Sequence, residues 1–150
     1  MKALIQRVKW SKVSSGGSLI SEINAGLLIL LGIEHSDGMA DIDWLCSKIV
    51  NMRIFADHLG KMNLDVKTIN GDIMLISQFT LHAATAKGNR PSFIAAAKPE
   101  EAKKLYQIFI NKLNILHAKT VKTGIFGADM QIELCNDGPV TIIIDSKNRC

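Results

Sequence analysis

Ala25-Gly26-Leu27-Leu28-Ile29-Leu30-Leu31-Gly32-Ile33 is the longest apolar run in the chain, nine residues with two glycines among them. A membrane-spanning helix needs about 20 apolar residues, so this run excludes one. It is short, bounded by turn-forming residues and lacks helical periodicity, which predicts that Leu27 to Ile33 form a strand buried on both faces. On its N-terminal side, Leu4 to Val8 reads as a strand, followed by a Gly16-Gly17 hairpin turn and a second strand from Leu19 to Ile23. On its C-terminal side, Ile42, Leu45, Cys46, Ile49 and Val50 recur at helical spacing within Asp41 to Asn51, with Asp37 or Asp41 at the positive end. Phe55 to Asn70, with Gly60, Asn63 and scattered charges, reads as loop, closed by an Asn70-Gly71 turn before a core strand from Ile73 to Ile76. Pro99-Glu100-Glu101 has the form of a helix start, and Ala102, Leu105, Tyr106, Phe109, Leu113 and Leu116 follow along one face. Met130, Ile132 and Leu134 alternate with polar residues, and a last strand from Val140 to Ile144 follows a tight turn at Asn136 to Thr141. Strands outnumber helices, so the class is α+β, or a barrel-like sheet covered by helices.

Composition narrows the function classes. A chain of 150 residues, 47% hydrophobic and 21% charged, suits a single domain over 1–150 and argues against disorder or a collagen-like repeat. Lys2, Arg7 and Lys9 interrupt the N-terminal segment, which lacks the apolar core of a secretory signal and predicts a cytoplasmic protein. Cys46, Cys135 and Cys150 are odd in number and widely spaced, which reads as reduced thiols. His35, His58, His82 and His117 form no HxH or HExxH pair, so no metal site is expected. The net charge of +4 is unevenly spread: residues 1–21 carry four basic groups and no acids, and 81–122 carry eight against two. Such a face suits phosphates, and it equally suits a solvated lysine-rich helix.

No P-loop, GxGxxG or Ser-His-Asp set is present. The polar run Ser77-Gln78-Phe79-Thr80 at the end of the Ile73 to Ile76 strand is the first candidate site, against the alternative of a strand end whose side chains satisfy local backbone. Strand alternation would send Gln78 and Thr80 to one face and Ser77 and Phe79 to the other. Thr80 as a covalent nucleophile requires a base, and His82 would share its strand face. Arg7 shares a face with Ala3 and Ile5, so its guanidinium either turns inward or pairs with a carboxylate. Phe126 and Met130 read, on polarity alone, as core.

Together these pieces resemble the D-aminoacyl-tRNA deacylases. The resemblance runs from Ala3-Leu4-Ile5-Gln6-Arg7-Val8 through Gly26-Leu27-Leu28, Arg53-Ile54-Phe55, Gly60-Lys61-Met62-Asn63 and Ser77-Gln78-Phe79-Thr80-Leu81. It continues in Gly88-Asn89-Arg90-Pro91-Ser92-Phe93, Thr123-Gly124-Ile125-Phe126-Gly127-Ala128-Asp129-Met130 and Asn136-Asp137-Gly138-Pro139-Val140-Thr141. It covers essentially the whole chain, with Ala84 standing where the family often has Asp. The resemblance implies a homodimer whose antiparallel sheet closes into a barrel-like core with outer helices, and an enzyme needing neither cofactor nor metal. Its substrate would be the ester at the 3′ end of D-aminoacyl-tRNA, with glycyl-tRNA also accepted. The amides around Phe79 and Thr80 would hold the ester carbonyl, Ser77 and Gln78 would organise the pocket, and the substrate ribose hydroxyl would assist the attacking water. Phe126 and Met130 would wall the pocket, and Arg7 would hold the Gly138-Pro139 turn by its carbonyls. That turn, with a cis peptide, would reach across the dimer and exclude L-aminoacyl esters. The competing readings are a basic nucleic-acid-binding module without catalysis and a hydrolase of some other small ester.

Overall fold

The computed structural model describes residues 1–149. In chain order these form β1 (Lys2–Ser15), β2 (Ser18–Ile23), β3 (Gly26–Gly32), α1 (Met39–Asn51), β4 (Phe55–Ala56), β5 (Met62–Leu64), β6 (Asp72–Ser77), a 3-10 turn (Phe79–His82), α2 (Pro99–His117), β7 (Lys122–Thr123) and β8 (Gln131–Asp145). Cys150 lies outside the described residues.

The run that opens the analysis is β3, and it is buried from both sides as its composition requires. Leu27, Ile29 and Leu31 face the helices, packing in one cluster with Leu45, Ile49, Phe109 and Leu113. Leu28 and, partly buried, Leu30 face the barrel interior with Val8, Val13, Met74 and Ile76. β6 repeats the pattern, Ile73 and Leu75 toward the helices and Met74 and Ile76 inward. Two consecutive side chains on a strand point to opposite faces, so a strand between two apolar compartments must be apolar throughout.

The sheet is organised by β1. Its first half pairs antiparallel with β3, Ile5 opposite Ile29. Its second half passes to β2, Ser11 opposite Ile23, through a hairpin in which Gly16 and Gly17 take φ of 58° and 78°. Along its other edge runs β8, from Lys2 opposite Asp145 to Ser14 opposite Gln131. β3 and β6 are parallel, as are β6 and β7, so the barrel-like sheet is mixed: α1 carries the first crossover and α2 the second. Closure brings β2 to β7, where Ser21 Oγ donates to Thr123 O at 2.7 Å. At Gly26 a Cβ would lie 1.9 Å from the carbonyl oxygen of Asp72 on β6, which leaves room for glycine alone.

α1 starts two residues before the predicted Asp41, and Asp41 caps it, its Oδ2 accepting the Gly38 N–H at 2.9 Å. Burial raises the Asp41 pKa, but donors from Ser146 Oγ (2.6 Å), Lys147 Nζ (2.9 Å) and Gly38 outweigh it and hold the carboxyl at about 2. α2 begins with Pro99 in its first turn, and its Tyr106 hydroxyl donates to Leu75 O at 2.7 Å, burial keeping the phenol protonated. Cys46 and Cys135 are unpaired, and burial pushes the Cys46 thiol up to about 12. Among the described residues no helix is long and apolar enough to cross a membrane.

Two local readings are corrected. Phe55 to Asn70 is not all loop: β4 and β5 form a small hairpin around Asp57, whose carboxylate accepts from Leu59 N, Lys61 N and Asn63 Nδ2. Nor does the chain reverse at Asn136 to Thr141. β8 is one strand through this stretch, and its pairing jumps from Val8–Asn136 to Gln6–Thr141, leaving 137–140 as an unpaired bulge opposite Arg7, with Gly138 and Pro139 turned outward and Val140 in the core. Asn136 Oδ1 closes the bulge by accepting the Val140 N–H at 2.9 Å.

Candidate active site

The candidate site lies where β6 runs out. The Gln78 N–H still donates to Leu31 O at 2.8 Å, extending the β3 ladder by one bond. The chain then tightens: Leu81 N donates to Gln78 O and Ala83 N to Thr80 O, at 3.3 and 3.1 Å. The first amides of a helical turn have no acceptor within it. Those of Phe79 and Thr80 are left without an acceptor among the described residues. Strand alternation therefore does not decide which of Ser77 to Thr80 face together. Gln78 Nε2 instead donates to Thr80 Oγ1, joining the two side chains directly.

Beside this turn is a cavity of about 660 Å³ lined by Ser77, Gln78 and Phe79 on one side and by Phe126 and Met130 on another. The Phe79 ring is 58% exposed and meets Phe93 edge-on at 5.1 Å between centroids. Phe126 leans on Tyr106 at 5.6 Å. Met130 Sδ lies where a Cβ on Gly124 would stand, 2.4 Å from it, so the glycine lets the thioether into the wall. The third wall went unrecognised in the sequence: Phe93, Ala97, Lys98 and Ala102, from the segment before α2 and its first turn. The signal for it was present in the Pro91-Ser92-Phe93 motif and the Pro99 helix start. Lys98 is the one ionisable residue of this lining, and among the described residues no cluster of His, Cys, Asp and Glu suits a metal ion. The cavity thus has apolar walls suited to orienting a flat or apolar ligand; Phe79 is in its lining, and Thr80, which is not, follows directly in the chain.

His82 is not placed as a base for Thr80. It belongs to the 3-10 turn rather than to a strand, is 5% exposed, and its Nδ1 lies 3.8 Å from Glu34 Oε2 while its ring packs beside Gly32. Thr80 Oγ1 has Gln78 as its partner.

Arg7, Gly138 and Pro139 form a separate place on the same chain, outside this cavity lining. Arg7 satisfies both alternatives open to it. Its Nη1 donates to Ile54 O at 2.6 Å and its Nε to Asp137 O at 3.1 Å, with Asp137 Oδ2 at 3.3 Å. The Gly138–Pro139 peptide is cis, Gly138 has φ of +128°, and a Cβ there would come within 3.0 Å of Arg7 Nη2. Both residues are exposed at the crest of the bulge. Ala84, the departure from the resembling family, pairs backbone to backbone with Ser92.

Comparison with known proteins places the chain in a family. A family model described as D-Tyr-tRNA(Tyr) deacylase matches residues 4–145. Curated proteins named D-aminoacyl-tRNA deacylase from Flavobacterium psychrophilum and Bacteroides fragilis are 58% and 56% identical over 149 residues, covering 99% of each chain. A solved structure described as c-Myc DNA unwinding element binding protein superposes with a TM-score of 0.92 at 39% identity, covering 97% of this chain and 98% of the other. A second, described as a probable eukaryotic D-amino acid tRNA deacylase, has a TM-score of 0.84 at 12% identity over 95% and 97%, a likeness of fold. The match along residues 4–145 and the full-length identity show that the chain belongs to the D-Tyr-tRNA(Tyr) deacylase family.

Proposed function

We propose that the protein is a D-aminoacyl-tRNA deacylase, acting in the cytoplasm on the aminoacyl ester at the 3′ end of tRNA. The observation that carries this reading is the pair of free amides at Phe79, which lines the cavity, and at Thr80 next to it, Lys98 being the only ionisable lining residue among the described residues. Water adds to the ester carbonyl carbon, the oxygen becomes an oxyanion held by those amides, and the acyl C–O bond to the ribose breaks. The ribose oxygen leaves as a hydroxyl after taking a proton, and the free amino acid and tRNA depart. Oxyanion stabilisation of this kind is worth about 3–4 kcal/mol per donor and needs no side-chain nucleophile, so the substrate's own ribose hydroxyl assists the water. Phe126 and Met130 wall the pocket for the terminal adenosine or the amino acid, and Ser77 and Gln78 hold its shape.

The reading includes a homodimer in which the exposed Gly138-Pro139 bulge of one subunit enters the pocket of the other. Its carbonyls would accept the substrate ammonium. With ammonium and ester carbonyl both held, handedness alone decides where the side chain goes: that of a D residue points to open space and that of an L residue meets the Gly-Pro backbone. Glycine passes, having no side chain to exclude. The exposure of the bulge and the grip of Arg7 on Asp137 support this role.

The test is ester loss from D-Tyr-tRNA, L-Tyr-tRNA and Gly-tRNA incubated with the pure protein. Rapid loss from the D and glycyl substrates alone is the expected result. Binding without turnover would favour a nucleic-acid module instead, the class to which the description of the 39% identical structure points. Thr80→Ala should keep substantial activity, because it removes a hydroxyl and leaves the amide. An acyl group trapped on Thr80 during turnover would overturn the mechanism.

A further inference from the structure

Five cations, in the stretch that runs from the loop after the 3-10 turn into the first turns of α2, have no carboxylate to answer them. Of the eight basic residues in 81–122, Lys112 pairs with Asp43 at 2.8 Å, Lys119 pairs with Asp72 at 2.7 Å, and Lys122 lies apart on β7. Lys87, Arg90, Lys98, Lys103 and Lys104 have no carboxylate within 4.0 Å among the described residues, and all five are exposed. The acids in the same stretch are Glu100 and Glu101, in the first turn of α2. The stretch therefore keeps an excess of positive charge.

The fold ties these cations to the pocket mouth. Ala84, two residues beyond the 3-10 turn, and Ser92 exchange N–H···O bonds of 2.8 and 3.0 Å, and this pair closes 85–91 into a hairpin with Gly88 at φ +71°. The next residue, Phe93, stacks edge-on against Phe79 and lines the cavity. Lys98 lines it too, and Lys103 follows five residues later in α2, next in the chain to the lining residue Ala102. Lys87 and Arg90 flank the hairpin tip, three residues from Ala84 and two from Ser92, so roughly 7–10 Å of extended chain separates them from the Ala84–Ser92 pair. That is the spacing of one or two nucleotides along an RNA strand leaving the pocket.

We propose that the 84–92 hairpin and the first turns of α2 form the docking edge for the phosphates of the tRNA acceptor end. The proposal rests on the deacylase reading, because an ester buried in the cavity obliges the adjoining phosphates to leave across its rim. Each phosphate contact contributes about 0.7–0.9 to the slope of log affinity against log salt. At 0.15 M salt this is roughly a 4- to 5-fold gain per contact, hence about 20-fold for Lys87 and Arg90 together, shrinking to about 3-fold at 0.5 M.

The experiment compares wild type, Lys87→Gln/Arg90→Gln and a control pair, Lys61→Gln/Lys67→Gln, on two substrates: D-Tyr-tRNA and 3′-O-(D-tyrosyl)adenosine. The expected result for the hairpin pair is a fall of about 20-fold in kcat/KM on D-Tyr-tRNA at 0.15 M salt, with kcat at saturation unchanged and the salt slope reduced by about 1.6. Turnover of the adenosine ester should be unaltered, as should that of both substrates by the control pair. An unchanged kcat/KM on D-Tyr-tRNA overturns the proposal. An equal fall on both substrates also overturns it, showing that the hairpin shapes the pocket. A wild type that cleaves neither ester refutes the deacylase reading itself, whereas a wild type that cleaves both leaves the hairpin comparison as the deciding result. Thermal unfolding midpoints of all variants should agree, since the four side chains are exposed.

Discussion

Replacing Arg7 by Met keeps the aliphatic stem and removes the guanidinium that joins β1 to the β8 bulge and to the segment entering β4. In the wild type, Arg7 is 11% exposed and gives charge-assisted hydrogen bonds to Ile54 O and Asp137 O. Such bonds are worth about 1.5–3 kcal/mol each, and their loss leaves two carbonyls short of a donor. The ion pair to Asp137, whose side chain is 40% exposed, adds less than about 1 kcal/mol. Arg7→Met should therefore cost about 3 kcal/mol, taking the lower end because the Asp137 side is open to water. In urea, with a slope of about 2 kcal/mol/M, the midpoint falls by roughly 1.5 M; the thermal midpoint of a chain this size falls by roughly 6–12 °C. Arg7→Lys supplies a point charge where a fork is needed and should recover about half of the loss. If the bulge excludes L-aminoacyl esters, Arg7→Met assayed below its midpoint should also show a raised L-to-D cleavage ratio. A loss of less than 1 kcal/mol in Arg7→Met, or wild-type stability in Arg7→Lys, would refute the claim that the guanidinium fork holds the bulge.

Gly26→Ala should destabilise by more than about 3 kcal/mol, because its Cβ meets the Asp72 carbonyl at 1.9 Å, backbone against backbone, and the central ladder must part. Gly38→Ala, with open space around it, serves as the comparison, and equal denaturation midpoints for the two variants would contradict the steric argument. Asp41→Asn should cost about 2 kcal/mol at pH 7, since the folded carboxyl titrates at about 2 against an unperturbed 3.8. A lowered carboxyl pKa stabilises fully above about pH 4 and is lost as pH falls toward 2, so urea midpoints of wild type and variant should converge over that interval. For His117, burial and the nearby Lys119 charge lower the pKa below 6.5. The unfolded chain then takes up the proton first, so wild-type stability declines as pH falls below 6.5. His117→Leu should flatten that decline, and identical pH profiles would count against it.

How far the sequence alone reaches is clearest in the strands. Residues 27–33 read directly as two-sided core and 73–76 as a core strand, because the face on which a side chain falls is set by backbone geometry one residue at a time. α1 and α2 were legible for the same reason, through apolar spacing, the Asp41 cap and Pro99. The motif 77–80 marked the site region, but the facing of its side chains was not legible. That depended on the chain leaving β6 at Ser77 and tightening into a 3-10 turn. Asn136-Asp137-Gly138-Pro139 has the composition of a reversal and of a bulge alike. The 14-residue β1, paired on both sides of it, decided for the bulge. The parallel direction of β3 and β6, the burial of His82 beside Glu34, the two carbonyls held by Arg7 and the Phe93 to Ala102 wall were likewise decided only in three dimensions. Each depends on a partner far along the chain. Local periodicity carries the shape of a segment, but not the identity of the segment against which it packs.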